Sequence, residues 1–154
     1  LNTDEAKLTQ ILRNLISNSL KYTQEGEIRI SMKAIPEHWI RIEVKDTGIG
    51  IASENLQSIF EEFVQIDQPL QQQNKGTGLG LPLSRKLAHL LGGRLWAESP
   101  GVGQGATFIL ELPQTYVGPH VQDYTLSPSK LSSVFPTITN ATGKKKVLIV
   151  DDEE

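Results

Sequence analysis

Three glycine clusters and one stripe of carboxamides are the parts of this 154-residue sequence whose types and spacing could do chemistry. The first cluster is Asp46-Thr47-Gly48-Ile49-Gly50. Asp46 shares the parity of Ile40, Ile42 and Val44, which alternate with Arg41, Glu43 and Lys45, so its carboxylate points toward the apolar face at a strand's end. A carboxylate there needs hydrogen-bond partners, because burying it unpaired is costly. Two readings stand: Asp46 starts a turn and bonds its own loop, or it floors a pocket and accepts an N–H from a ligand. Gly48 and Gly50 let the backbone turn tightly or approach something closely.

The stripe is Asn14, Asn18 and Lys21, at i, i+4 and i+7 on one helix side, next to the apolar side. Asparagine is a middling helix former, so two stacked one turn apart are unfavourable unless used. An amide oxygen suits a hard cation such as Mg²⁺, and a lysine beside it suits phosphate; a plain solvated edge is the alternative. Tyr22 offers an aromatic wall or simply core. The second cluster, Gly76-Thr77-Gly78-Leu79-Gly80, immediately precedes a helix, whose free N–H groups and dipole favour an anion. It does not follow a strand, which argues against a dinucleotide-binding turn, and no GxxxxGK[ST] phosphate loop occurs. The third cluster, Gly101 to Gly105, reads as a hairpin turn.

The elements that must position these groups follow from periodicity. Asp4 can cap a helix carrying Leu8, Ile11, Leu12, Leu15, Ile16 and Leu20 at steps of three and four. Gly26 ends it. Ile28, Ile30, Met32 and Ala34 alternate with polar residues in a first strand, and Pro36-Glu37 turns into a second through Val44. Ser53 is expected to cap a short helix through Phe60, and residues 81–91 a further one closed by Gly92-Gly93. Strands at 94–98 and 106–112 complete an αββααββ order. That order predicts an α+β fold, a mixed, mostly antiparallel sheet with about three helices on one face.

Composition narrows the function. A net charge of −3 disfavours nucleic acid as a partner. The absence of cysteine excludes disulfides, thiolate metal sites and cysteine nucleophiles. No run approaches the length of a membrane span, and the start lacks a signal-peptide profile. A cytoplasmic chain without membrane contact is the expectation. Residues 1–112 form the expected domain. Residues 113–143 carry only two charges, Asp123 and Lys130, with four prolines, and read as a linker. Residues 144–154 read as a short strand, Val147 to Val150, ending in acids.

In combination and order, these motifs resemble the catalytic ATP-binding domain of a sensor histidine kinase, of the superfamily shared with DNA gyrase and mismatch-repair ATPases. Residues 11–23 (ILRNLISNSLKYT) resemble its N box, 46–51 its first glycine box, 59–63 its F box and 76–81 its second. The resemblance implies a two-layer α/β sandwich of the Bergerat type holding ATP under a lid at about residues 64–75. It implies Asn18 as the Mg²⁺ ligand, Asn14 beside the phosphates, Lys21 on a phosphate and Tyr22 on the adenine. Asp46 would accept the adenine amino group, Gly48, Gly50 and Ile51 would shape the pocket, and Gly76 to Gly80, including Thr77, Gly78 and Leu79, would lie along the phosphates. Lys75 stands where many relatives have glycine, and either stiffens the lid or adds a phosphate contact.

Residues 145–154 (KKVLIVDDEE) resemble the opening strand of a receiver domain, which implies a piece of a hybrid kinase. The family transfers phosphate to a histidine on a separate dimerisation domain. None of His38, His89 and His120 lies in such a motif, so that domain, and a receiver domain or response regulator, are the expected partners. Hydrolysing and clamp-like relatives place a glutamate base where this chain has Asn14, whose amide cannot take a proton from water. A nucleotide-sensing module without transfer is the other alternative.

Overall fold

The computed structural model describes residues 1–65 and 77–116, together with the backbone of 146–149. Helix α1 (Glu5–Tyr22) begins where expected: Asp4 accepts from the Lys7 amide at 3.0 Å and is ion-paired with the Lys7 ammonium. This satisfies one of the N–H groups that a helix start leaves open. Strands β1 (Glu27–Ile35) and β2 (Trp39–Asp46) form an antiparallel hairpin with Ile30 opposite Val44. Helix α2 (Gly80–Leu90) leads into a second hairpin, β3 (Arg94–Glu98) with β4 (Ala106–Pro113). β4 returns to pair antiparallel with β2, so Val44 lies opposite Phe108.

The sheet order is β3-β4-β2-β1-β5. The last member, β5 (Lys146–Ile149), runs parallel to β1, with Ile28 opposite Val147. The sheet is therefore mixed and mostly antiparallel, and the fold is the expected α+β sandwich. Within the stretch read as a receiver's opening strand, the four described residues form an edge of this sheet. The rest of 144–154, and the 113–143 stretch beyond Tyr116, lie outside the described residues. Residues 113–116 belong to the fold: Asn2 bridges to Thr115, and Tyr116 packs against the core.

Ile11, Leu15, Ala88 and Leu91 from the helical layer meet Val44, Leu95, Phe108, Leu110 and Leu112 from the sheet, all buried. Each large aliphatic buried in this way contributes about 1.5–3 kcal/mol relative to exposure. The helix expected over Ser53–Phe60 is instead two 3₁₀ turns, Ser53–Asn55 and Ser58–Phe60. The Ser53 hydroxyl bonds Glu54 rather than capping a backbone amide, so the segment lacks an N-cap bond. β1 also departs from expectation: Ile28 is buried, but Met32 and Ala34 are exposed.

On the sheet face away from the helices, Glu111 is fully buried between two guanidiniums. Arg41 reaches its Oε1 at 2.6 Å, and Arg94 its Oε2 at 2.5 Å. Arg94 also lies over Trp39 and Trp96, at 5.9 and 5.6 Å from the ring centres. One carboxylate thus ties β2, β3 and β4 together. Burial pushes the Glu111 carboxyl up, but the hydrogen bonds from Arg41 and Arg94 outweigh it and hold the group below its ordinary 4.5. Glu111→Gln keeps the volume and removes the shared charge. A hydrogen bond to a charged group contributes about 1.5–3 kcal/mol, and solvent screening at the exposed Arg94 reduces that pair's share. A loss of about 2 kcal/mol is expected from these terms together, seen as a lower urea midpoint with unchanged slope. Because the folded value is depressed, the difference from wild type should be full above pH 4.5 and fade as the pH falls through the lower folded value.

Candidate functional site

Asp46 ends β2, flanked by Ile28 of β1 and Ala106 of β4. Its side chain is almost fully buried. Oδ1 accepts from the Gly48 amide at 2.9 Å and the Ala106 amide at 3.2 Å, and Oδ2 from the Ser19 hydroxyl at 3.3 Å. The loop-bonding reading of Asp46 is therefore correct as far as Oδ1 goes. A carboxylate offers about four acceptor directions, so it retains capacity for a ligand. Burial pushes the Asp46 carboxyl up, and the bonds from Gly48, Ala106 and Ser19 oppose that rise.

Gly48 and Gly50 are needed where they stand. A Cβ added at Gly48 would run into the Tyr22 carbonyl oxygen, and one at Gly50, where φ is +67°, into the Gly101 carbonyl oxygen. The loop is thereby pressed against the end of α1 on one side, with Ile49 N donating to Tyr22 O at 3.1 Å. On the other side it meets the 101–105 turn, where Gly103 N donates to Ile49 O at 2.6 Å and Gly105 N to Gly48 O at 3.1 Å. The turn after β3 is thus a wall of the same loop. Ile51 is buried in the core, and its amide donates to Ser99 Oγ at 3.0 Å.

The N-box stripe meets the second glycine cluster directly. Asn14 Nδ2 donates to Gly80 O at 3.1 Å and to Ser84 Oγ at 3.0 Å, which uses both of its N–H groups. Gln10 Nε2 donates to Asn14 Oδ1 at 3.4 Å. One turn further on, the half-buried Asn18 carboxamide has no hydrogen-bond partner among the described residues. Lys21 lies over the Tyr22 ring at 4.9 Å. At the start of α2 no side chain caps the helix, its first intrahelical bond is Leu83 N to Leu79 O, and Pro82 has no amide. The amides of this first turn are donors without a helical partner.

Thr77 and Leu79 are exposed at this end, and Gly78 O accepts from Phe63 N at 3.2 Å. Arg85 of α2 lies over the Phe60 ring and donates to Phe60 O at 3.2 Å, so the F-box segment is fastened to the helix. Lys75, Gly76 and the expected lid from residue 66 onward lie outside the described residues. Ser19 is a neighbour of Asp46 that the sequence analysis did not pick out. Its signal was present: Ile11, Leu15 and Ser19 are the buried residues of α1, so a hydroxyl occupies a core position on an apolar stripe.

An acid at a strand end, a carboxamide stripe and an open helix start are gathered at one end of an α/β sandwich. The family described as histidine kinase-, DNA gyrase B- and HSP90-like ATPase matches residues 3–116, and the chain belongs to it. Sensor histidine kinases are prominent among its relatives. The sensor histidine kinase GacS of Pseudomonas protegens is 40% identical over 117 residues, covering 73% of this chain and 13% of its own. The sensor histidine kinase AruS of Pseudomonas aeruginosa is 36% identical over 152 residues, 96% of this chain and 14% of its own. The crystal structure of full-length ShkA with AMPPNP superposes with a TM-score of 0.65 at 36% identity, covering 75% of this chain and 23% of that one. The chain thus spans about an eighth to a seventh of these two curated relatives, 13–14%.

Asp46→Asn should leave the fold intact. The amide oxygen can still accept from Gly48 and Ala106, while the new N–H₂ faces the Ser19 hydroxyl. Because the folded carboxyl is raised above its ordinary 3.8, ionising it opposes folding, so wild-type stability falls as pH rises from 3.8 through the folded value. The variant should match or exceed wild-type melting temperature at neutral pH, with that advantage vanishing in acid. Thermal melts of both proteins from pH 3 to 7, on the order of one pH unit apart, check this.

Proposed function

We propose that this chain is the ATP-binding catalytic part of a protein-histidine kinase. It takes Mg-ATP between α1 and the glycine clusters and gives the γ-phosphoryl group to a histidine on a separate dimerisation domain. The observation that carries this reading is the Asn14–Gly80 hydrogen bond, which sets the carboxamide stripe against the open start of α2. The adenine end is assigned to Asp46, with Tyr22 as a wall and Gly48, Gly50 and Ile51 shaping the loop. The phosphate end is assigned to Lys21, Asn14 and the backbone of residues 76–80, with Lys75 either stiffening the lid or adding a phosphate contact.

The residues present fit Mg²⁺. No cluster of three or more acidic, histidine or cysteine side chains occurs among the described residues, so a dedicated protein cage is not the mode. Mg²⁺ commonly keeps waters and uses one or two protein oxygens plus substrate phosphates, and the Asn18 amide oxygen is available for that role. When bound, the ion offsets charge on the β- and γ-phosphates. The protein's own part is positioning. Asn14, locked by Gly80 and Ser84, holds α1 to α2. The amides at the start of α2 face the phosphates, and Lys21 adds a cation. An incoming histidine nitrogen then forms the new bond to the γ-phosphorus as the bond to the β–γ bridging oxygen breaks, and ADP leaves with that electron pair.

Hydrolysis is disfavoured because Asn14 occupies the position of a general base, and a carboxamide cannot take a proton from water. The resemblance of residues 145–154 to a receiver's opening strand is the basis for proposing that a receiver domain belongs to the same signalling system. A response regulator or attached receiver is the proposed downstream partner.

Asn18→Ala should weaken ATP binding strongly in Mg²⁺ and little in EDTA, as read by calorimetry; equal losses remove Asn18 from the metal site. With γ-labelled ATP, the chain alone should release little phosphate and remain unlabelled, while a cognate dimerisation domain added in trans should become labelled on histidine. Rapid phosphate release by the chain alone favours the clamp or hydrolase. Silence with a verified partner despite ATP binding favours a sensing module.

A further inference from the structure

We propose that Ser19 is a positioning residue that makes the site selective for a base carrying an exocyclic amino group, by leaving Asp46 one open acceptor direction. The inference rests on the reading of Asp46 as the base acceptor and deepens it.

Ser19 stands on the side of α1 that otherwise holds Ile11 and Leu15, and it is fully buried. A hydroxyl without a partner at such a position costs free energy that an alanine or leucine avoids. Its partner is Asp46 Oδ2, at 3.3 Å. The other carboxylate oxygen is occupied by two backbone amides, from Gly48 and Ala106. Of the roughly four acceptor directions of a carboxylate, three are therefore filled, by donors from α1, from the loop after β2 and from β4. The direction left belongs to Oδ2, the oxygen Ser19 holds. A single aimed acceptor suits one N–H, the kind a 6-aminopurine presents and a 6-unsubstituted purine lacks. Ser19 also supplies a third donor to a carboxylate whose burial opposes ionisation, which favours the form that can only accept.

The test compares two nucleotides, ATP and purine riboside triphosphate, which lacks the 6-amino group, on wild type, Ser19→Ala, Asp46→Asn and the double variant. Alanine is the better helix former, so α1 should persist; Ser19→Cys, of similar volume but a weaker donor, provides a second variant. Ser19→Ala should weaken ATP about three- to tenfold, the scale of one hydrogen bond, and leave purine riboside triphosphate unchanged. In the Asp46→Asn background it should have no further effect, since coupled residues are not additive. Equal loss for both nucleotides assigns Ser19 a structural role and overturns the proposal, as does no loss for either. If wild type binds no ATP, or Asp46→Asn leaves ATP affinity unchanged, the underlying reading of the site fails and this proposal with it.

Discussion

A charge carried into the interior at the end of a central strand must be met by donors, and the donors must come from somewhere. Asp46 draws them from three places: the Gly48 amide of its own loop, the Ala106 amide at the start of β4, and the Ser19 hydroxyl on α1. Each partner is attached to an element, so satisfying the carboxylate also fixes how α1, the loop after β2 and the 101–105 turn stand relative to one another. The candidate site is the space those three define. Its geometry follows from the demand that a buried carboxylate not be left unpaired.

The two faces of the sheet divide the remaining work. The helix-bearing face holds the aliphatic core and, at one end, the site. The other face is fastened by Glu111 with Arg41 and Arg94, braced by Trp39 and Trp96. A central strand such as β4, buried nearly throughout, can thus carry a carboxylate on its outer side because cations from both neighbours reach across to it. The site's own acid is not needed to balance those cations, which leaves Asp46 facing only neutral donors.

Much of this was legible in the sequence, and the exceptions have physical causes. α1 was readable because its apolar steps repeat from Leu8 to Leu20 and Asp4 caps it. The strand parity that aimed Asp46 inward was readable because β2 alternates without interruption. The segment at Ser53–Phe60 is too short for periodicity to tell an α-helix from two 3₁₀ turns, and its serine bonds a neighbouring side chain instead of the backbone. Apolar alternation in β1 overstated burial at Met32, because alternation describes a strand's two faces and not whether helices extend far enough to cover one. Ser19 and Glu111 were missed because each depends on a partner distant in sequence: 27 residues for Ser19–Asp46 and 70 for Arg41–Glu111. Pairing across the sheet at residues 146–149 is likewise a property of the edge of β1, not of the strand's own four residues.

The crowding around Gly48 and Gly50 has a consequence for how such a domain can diversify. At both positions a side chain would strike a carbonyl oxygen of the main chain, which cannot swing aside as a side chain can. Neutral drift is therefore closed at these two points whatever nucleotide or partner selection favours, while the side chain of Ile49 between them meets no such bar. Paralogues that take on new specificities must vary the interleaved residues or the 101–105 wall instead. A lineage of such domains should carry an unchanging glycine lattice, with its history written in the gaps.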